Sequence, residues 1–248
     1  MEMKADVLIF CEGRLLVRAG TLEPAGLEAV AGREVADGVE LSPEGGRAVR
    51  LAGGAGAAPE GFAWARVRQL IAEGSLLAGR VCRALGLLNW RAECRFCARC
   101  GGQLGEHPTE LARVCGGCGW VAYPSVEPAV IVRVEREGRI LLARHVQRIP
   151  ELYACLAGYI EVGESAEGAV RREVREEVGL ELGEVEYVGS QAWPFPYLLM
   201  MAFRAQWKAG ELRLQADEIA DAQWFEPSDL PAIPPPGTTA YRLITDTF

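Results

Sequence analysis

The sequence predicts an α+β protein in three parts: an N-terminal α/β domain over residues 1–92, a cysteine module over 93–123, and a C-terminal α/β domain over 124–248. Three observations predict this order. Strand-like and helical apolar patterns alternate at both ends of the chain, and two cysteine pairs lie between them. A glycine-studded loop then leads into a glutamate-rich helical run. With 248 residues, half of them apolar, the chain can bury a sizeable core.

Composition excludes several classes of protein. The net charge of -8 argues against broad binding of duplex nucleic acid, although a local basic cleft stays compatible with it. No apolar run reaches the roughly 18 residues of a membrane span. The start "MEMKADVLIFCEG" lacks the pattern of a secretory signal, so we expect a cytoplasmic protein that does not bind membranes.

The N-terminal domain begins with a predicted β-hairpin. "ADVLIFCEGRLLVR", residues 5–18, holds two apolar runs separated by Glu12 and Gly13. The small-residue stretch "LAGGAGAAP", residues 51–59, predicts a loop. "WARVRQLIAEGSLLAGRVCRALGLLNW", residues 64–90, then predicts one or two amphipathic helices leading to the cysteines.

The cysteine module has the spacing of a closed zinc site. Each of its pairs, Cys97 with Cys100 and Cys115 with Cys118, has a two-residue gap and is followed by glycine. Tight turns aim two thiolates of a pair at one ion, and four thiolates leave no open position, so the zinc is predicted to be structural. Cys94 also has the right gap to Cys97, but Ala98 follows that pair, which favours Cys97 with Cys100. Four buried thiols without metal are the alternative.

Three further cysteines stand alone. We expect core packing for Cys11, Cys82 and Cys155, because each lies in apolar or mixed surroundings.

The C-terminal domain shows a second hairpin and a long helix. "AVIVRVEREGRILLARH" predicts two strands joined at Glu137 and Gly138. Residues 166–178 predict a helix on which Ala166, Val170, Val174 and Val178 form one apolar stripe, at about 100° per residue. Further strand-like runs occur near Val185 and Leu198. A proline knot, "PAIPPPG", precedes a last helical segment from Thr238.

The charges of the long helix are segregated. Arg171, Arg172 and Arg175 fall on one side of the apolar stripe, whereas three carboxylates gather on the other: Glu173, Glu176 and Glu177. Carboxylates at this spacing repel one another unless a cation lies among them, and Mg²⁺ or Mn²⁺ prefers such oxygen ligands. An ordinary charged surface helix is the alternative.

The loop and helix together resemble the signature of the Nudix hydrolases, which cleave nucleoside diphosphates linked to another moiety. The resemblance rests on Gly158, Glu164 and "REVREEVGL", residues 172–180. It implies an α/β/α sandwich domain whose metal ligands are Glu173, Glu176 and Glu177. It also implies that Arg172 orients a glutamate, that Gly158 starts the loop approaching the diphosphate, and that Glu164 supports this loop. The residues alone do not show which glutamate is the general base.

The stretch "SQAWPFPYLLM", residues 190–200, predicts the substrate. Trp193 and Phe195 are fixed between prolines and suit stacking of a flat base, and Gln191 could hydrogen-bond the edge of that base. An aromatic core strand is the alternative.

This stretch resembles the motif SQPWPFPxS of the NADH pyrophosphatase branch of the Nudix family, some members of which remove NAD caps from RNA. "VRQL" at 67–70, Thr109 with Glu110, Tyr123 with Pro124, and "PPPGT" at 234–238 also resemble this branch, which carries a zinc ribbon before the Nudix domain. The resemblance implies NADH or NAD⁺ as substrate, NAD-capped RNA as a further one, and a homodimer. It implies additional metal contacts from the Ala157 carbonyl and Glu218. The substrate contacts that it implies are Arg68, Glu110, Tyr123, Gln191, Ala192, Trp193, Pro194, Phe195, Pro196, Tyr197, Leu198 and Ala240.

Two departures from this motif, Ala192 for proline and Leu198 for serine, leave the choice of substrate open. A Nudix enzyme acting on ADP-ribose or dinucleoside polyphosphates is one alternative. A non-catalytic zinc-ribbon protein that binds nucleic acid is another. The arginines that support this second alternative are Arg80, Arg83, Arg91, Arg95, Arg99 and Arg113.

Overall fold

The structure is a computed structural model that describes residues 7–41, 46–73, 77–146 and 151–248. The chain forms two compact units. The first comprises Met1–Val126 with Ala192–Tyr197, and the second comprises Glu127–Gln191 with Leu198–Phe248.

The first unit contains a five-stranded sheet and two helices. Its strands are β1 (Val7–Cys11), β2 (Arg14–Arg18), β3 (Val35–Glu40), β4 (Arg47–Leu51) and β5 (Phe62–Arg66), in the order β3-β4-β1-β2-β5. Helices α1 (Val67–Ala72) and α2 (Ala78–Glu93) follow, and a short 3₁₀ helix covers Leu27–Val30. The predicted first hairpin is confirmed: Glu12 and Gly13 both have positive φ, the turn that suits a two-residue β-hairpin.

The helical region of the first unit starts later than the pattern predicts. Trp64 to Arg66 belong to β5, which pairs antiparallel with β2, so the helical reading of these residues is wrong. From Val67 to Trp90, the described residues other than Glu73 and Leu77 lie in α1 or α2. Helix α2 buries Val81, Leu85 and Leu88 against the sheet side chains of one core cluster, which is why its apolar spacing has the helical period.

The cysteine region has a small sheet of its own. Its strands are β6 (Leu104–Glu106), β7 (Arg113–Cys115) and β8 (Val121–Ala122), paired antiparallel in that order. Leu104, Cys115 and Ala122 pack with Trp90 from the end of α2.

The second unit is built on a six-stranded mixed sheet. Its strands are β9 (Glu127–Arg136), β10 (Arg139–His145), β11 (Leu156–Tyr159), β12 (Glu181–Trp193), β13 (Leu198–Ala209) and β14 (Ile219–Phe225). The order is β12-β13-β9-β10-β14, and β11 also pairs with β9. The predicted hairpin at Glu137 and Gly138 is confirmed by the antiparallel pairing of β9 and β10. Its helices are α3 (Ala166–Val178) and α4 (Thr239–Thr245).

Helix α3 has the predicted bounds, and its ends explain them. Ser165 caps the first turn, where its side chain accepts a hydrogen bond from the Gly168 N–H, and Gly179 ends the helix with a φ of 75°. Val170, Val174 and Val178 are fully buried in the sheet core, as the apolar stripe predicts. None of the helices within the described ranges is long and apolar enough to cross a membrane.

Candidate active site and cysteine cluster

A cavity of about 740 Å³ in the second unit collects the predicted metal ligands. Strand β11, helix α3 and strand β13 contribute most of its walls. The predicted site residues that line it are Ala157, Gly158, Arg172, Glu173, Glu176, Glu177, Leu198 and Glu218. The helix periodicity explains the three glutamates of α3, because positions three and four apart share one face.

The three helix glutamates differ in exposure. Glu177 is 2% exposed, and the side chains of Glu173 and Glu176 are 14% and 52% exposed. Burial raises the pKa of Glu173 despite the hydrogen bond from the neighbouring Arg172. The solvent exposure of the three carboxylates therefore increases from the buried Glu177 to the half-exposed Glu176.

Arg172 connects the helix to the glycine-rich loop. Its Nε donates to Glu164 Oε1 at 3.0 Å, and its Nη2 donates to Glu164 Oε2 at 3.0 Å and to the Tyr159 carbonyl at 2.8 Å. Its Nη1 donates to Glu173 Oε1 at 2.8 Å and to Glu176 Oε2 at 3.1 Å. The hydrogen bonds from Arg172 to Glu164 lower the pKa of Glu164. The long side chain of Arg172 thus reaches in among the carboxylates, where the family resemblance expects it to orient a glutamate.

Gly158 makes room for one of these carboxylates. A Cβ at this position would overlap the carboxylate of Glu173. Strand β11 holds Gly158 opposite Val130 of β9, so the backbone cannot move aside without breaking the sheet. A larger residue would therefore displace the Glu173 carboxylate from Arg172, so glycine serves here for close approach and not for a positive φ.

The donor set of the cavity fits a hard divalent cation. Carboxylate and carbonyl oxygens are the ligands that Mg²⁺ and Mn²⁺ prefer. Within the described ranges, no three cavity carboxylates bring their oxygens within 4.8 Å of one another, whereas the sulfurs of four cysteines do so. An ion bound among the glutamates would therefore also require other ligands, such as water or substrate phosphate.

The four sulfurs that meet this spacing belong to Cys97, Cys100, Cys115 and Cys118, and Cys94 is not among them. The sulfurs of Cys97 and Cys118 are 3.6 Å apart, and those of Cys100 and Cys115 are 3.5 Å apart. Zn–S bonds of about 2.3 Å in a tetrahedron place sulfurs roughly 3.8 Å apart. The cluster is thus close to the size of a four-thiolate zinc site.

The two cysteine turns have the same backbone pattern. Gly101 and Gly119 have φ of 73° and 71°, and each donates its N–H to the carbonyl of the first cysteine of its pair at 2.9 Å. Backbone N–H groups of Cys118 and Gly117 lower the pKa of Cys115 to about 7. The pKa of Cys100 is lowered by the backbone of Gly102 but raised more by hydrogen bonds with the other three thiols, to about 12, so without a metal the four sulfurs share protons. Cys94 packs with Trp90 and other apolar side chains.

The lone cysteines are buried, as predicted for packing residues: Cys11, Cys82 and Cys155.

The predicted substrate residues of the first unit include two groups whose members contact one another. Tyr123 Oη donates to Glu110 Oε2 at 2.6 Å, and Tyr123 is 58% exposed. The guanidinium of Arg68 lies 4.7 Å from the ring centroid of Phe195 and 5.7 Å from that of Trp193.

The rings of Trp193 and Phe195 pack edge to face with each other and also pack against the core of the first unit. A base that stacks on Phe195 must therefore use the ring face that Arg68 leaves open. The alternative of an aromatic packing role is correct for one side of these rings.

The side-chain amide of Gln191 is hydrogen-bonded within the second unit. Its Oε1 accepts hydrogen bonds from Thr239 N at 2.9 Å and Thr239 Oγ1 at 2.8 Å, and its Nε2 donates to the Gly237 carbonyl at 2.9 Å. The amide thus holds the "PPPGT" loop at the start of α4. Ala240, on the first turn of that helix, packs on a core cluster with Leu243.

The cavity includes residues that the sequence analysis missed: Ala129, Tyr159, Glu161, Met200 and Gln215. Tyr159 is the clearest omission, since it is a large exposed aromatic directly after Gly158. Its position at the start of the signature loop was a usable signal. Gln215 lies between strands without a local motif, and only the fold brings it to the cavity.

Several arginines near the cysteines are engaged within the first unit. Arg91 pairs with Asp37 and Glu106, and Arg113 donates to the carbonyls of Cys94 and Leu104. These contacts occupy two of the six arginines on which the alternative of a nucleic-acid-binding protein rests, and so weaken that alternative.

Comparison with known proteins agrees with the fold and the cavity. Residues 125–248 match the model of the NUDIX domain. The chain therefore belongs to the Nudix family of hydrolases. Proteins from Salmonella heidelberg and Salmonella typhi, each named NAD-capped RNA hydrolase NudC, are both 43% identical to it over 181 residues, covering 73% of this chain and 70% of theirs.

The fold also resembles solved structures. A NUDIX hydrolase from Nitrosomonas europaea has a TM-score of 0.51 and 23% identity, over 61% of this chain and 86% of that one. The predicted membership of the Nudix family, the resemblance to its zinc-ribbon branch and the fold class are confirmed.

Proposed function

We propose that the protein hydrolyses the diphosphate bond of NADH and NAD⁺ to AMP and the nicotinamide mononucleotide, and that it removes NAD caps from RNA. The observation that carries this proposal is the carboxylate cavity beside Gly158, in a chain 43% identical to proteins named NAD-capped RNA hydrolase. The cavity supplies the chemistry, and the relatives supply the substrate class.

The residues proposed to hold Mg²⁺ or Mn²⁺ are Glu173, Glu176, Glu177, Glu218 and the Ala157 carbonyl, all of which line the cavity. When bound, such a cation polarises the phosphorus, orients the attacking water and lowers its pKa. In the reaction, water oxygen bonds to one phosphorus, the bridging P–O bond breaks, and the bridging oxygen leaves with the other phosphate. A cavity carboxylate takes the proton of the attacking water.

Arg172 and Glu164 act by positioning. Glu164 accepts two hydrogen bonds from the guanidinium, which then holds Glu173 and the Tyr159 carbonyl. This fixes the approach of the loop to the helix. Ordered ligands need less reorganisation when charge develops on the phosphate oxygens.

We propose candidate contacts with the nucleoside parts of the substrate separately for each unit. Arg68, Glu110, Tyr123 and residues 192–197 are the candidates in the first unit. Gln191, Leu198 and Ala240 are the candidates in the second, together with the exposed ring of Tyr159 at the cavity.

The remaining proposals concern structure and location. The four-cysteine cluster is proposed to hold structural zinc, and the first unit to divide into an N-terminal domain and a ribbon near residue 93. A homodimer and a cytoplasmic location follow the resemblance to the zinc-ribbon branch and the reduced state that four-thiolate sites require.

Hydrolysis assays with purified protein test the substrate. With Mg²⁺ or Mn²⁺ present, we expect AMP and the mononucleotide from NADH and NAD⁺, and a 5′-monophosphate end from NAD-capped RNA. If the protein cleaves only ADP-ribose or dinucleoside polyphosphates, the proposed substrate is wrong and the alternative Nudix specificity is correct. Binding of RNA without any turnover would favour the non-catalytic alternative.

A further inference from the structure

Helix α2 presents a row of contacts to residues 192–197, and both belong to the first unit. Cys82 Sγ donates to the Ala192 carbonyl at 3.6 Å, and Tyr197 Oη donates to Glu93 Oε2 at 2.7 Å. Between them, Asn89 Nδ2 donates to the carbonyls of Pro194 at 3.2 Å and Pro196 at 2.9 Å. Cys82, Asn89 and Glu93 are seven and four residues apart, so they share one face of the helix.

The contact of Asn89 is the most specific of the three. Pro194 and Pro196 have no N–H, so the carbonyl is the one backbone group by which each can be hydrogen-bonded in place. One amide nitrogen binds both carbonyls, and this sets the spacing of the two carbonyls that flank Phe195. The segment is thereby fixed at two points, on either side of the aromatic ring.

A second residue fixes the orientation of the amide. Arg50 Nη2 donates to Asn89 Oδ1 at 2.6 Å. A guanidinium only donates, so the atom facing Arg50 must be the oxygen, and the amide NH₂ must face the two carbonyls. Strand β4, which carries Arg50, thus determines how α2 holds the segment.

We infer that Asn89 is a positioning residue for substrate recognition: it holds residues 194–196 so that the ring of Phe195 faces the dinucleotide. This role rests on the proposed function and extends it to a residue outside the recognised motifs. Asn89 touches no reacting atom, and its effect is on binding and not on the chemical step.

The test uses Asn89→Asp in the full-length protein. The new carboxylate still accepts from Arg50 but turns lone pairs toward the two carbonyls, so the segment loses its donor while the helix keeps its partner. We expect KM for NADH to rise about tenfold, the effect of roughly 1.4 kcal/mol in lost hydrogen bonding, with kcat within about twofold of wild type. Asn89→Ser adds no charge and carries its hydroxyl donor on a side chain too short to hold both carbonyls, so it should change KM in the same direction.

The control is Ala92→Gly, at an exposed position near the end of the same helix. It weakens α2 without removing a contact to the segment, so KM should stay at the wild-type value. If Ala92→Gly raises KM as much as the Asn89 variants do, the rise in KM comes from a weaker helix, and the inference is overturned. Unchanged KM in both folded Asn89 variants would do the same.

Hydrogen–deuterium exchange separates this inference from the proposed function. Asn89→Asp and Asn89→Ser should speed exchange in a peptide covering residues 190–198, whereas Ala92→Gly should not. This measurement needs no substrate. If the wild-type protein fails to cleave NADH, the proposed function is wrong, and exchange still decides whether Asn89 holds the segment.

Discussion

The cysteine cluster and the glutamate cavity are both candidate metal sites, but they are ordered to different degrees. The four sulfurs lie within 4.8 Å of one another, close to the geometry of a complete zinc site. The carboxylates of the cavity share a wall, yet among the described residues no three of them meet that spacing. The first site resembles a closed structural centre, and the second an open catalytic one.

Charge and backbone explain this difference. Two glycine turns with positive φ and repeated N–H···O bonds fix the cysteines. Helix spacing brings the three glutamates of α3 to one face, and hydrogen bonds from Arg172 to Glu173 and Glu176 offset their mutual repulsion. A site that must admit a diphosphate and release its products needs such incomplete coordination, whereas a structural site does not.

The largest expected effect is on the open site. Glu177→Gln keeps the size of a buried side chain and removes its charge, so kcat for NADH should fall about 10²- to 10³-fold, or roughly 3 to 4 kcal/mol of transition-state stabilisation. Glu167→Gln, at an exposed position on the first turn of the same helix, is the matched control. Near-normal turnover of Glu177→Gln at saturating Mg²⁺ would remove the glutamates from the mechanism.

The second prediction concerns the closed site. Cys100→Ser removes one of four thiolates, so zinc content should fall from about one ion per chain toward zero and the melting temperature of the first unit should drop. Cys94→Ser is the control, because Cys94 lies outside the cluster and should keep the zinc. Elemental analysis that finds no zinc in wild-type protein purified without chelator would contradict the assignment.

The sequence predicts that the four cysteines and the three glutamates of α3 each lie together, because both groups depend on local spacing. The bounds of α3, the burial of Val174 and the four zinc-ligand candidates follow from periods and gaps within about 25 residues. The contacts of Arg172 could be predicted only in part, because the position of a residue on a helix does not show where its long flexible side chain ends.

Long-range contacts could not be predicted in this way. Gln191 binds Thr239 across 48 positions, and Asn89 binds Pro196 across 107. No periodicity links such residues, since the fold alone brings them together. The same is true of Trp64, whose pairing within β5 overrides its place at the start of a helical pattern.

The third prediction tests whether the aromatic segment contributes more than packing. Phe195→Ala should raise KM for NADH about 5- to 150-fold, the range expected for roughly 1 to 3 kcal/mol of base stacking. Turnover at saturating substrate should be better preserved than in Glu177→Gln, because the cavity of the second unit is unchanged. Phe96→Ala is the control, since Phe96 is another aromatic beside an arginine but is exposed, whereas Phe195 is half-buried. Equal KM values for Phe195→Ala and wild type would limit the segment to a packing role.

The smallest expected effect concerns the two departures from the branch motif. Leu198 lines the cavity, and Leu198→Ser replaces an apolar wall with a hydroxyl that can bond a polar substrate group. Ala192→Pro restricts the backbone where the segment begins and so lowers the entropy lost on binding. Together they should lower KM for NADH about two- to fivefold, with kcat little changed. The single variants separate the causes: a gain from Leu198→Ser alone indicates a new hydrogen bond in the cavity, whereas a gain from Ala192→Pro alone indicates a stiffer segment. A higher KM in the double variant would show that this chain is adapted to a less polar substrate group than the branch motif recognises.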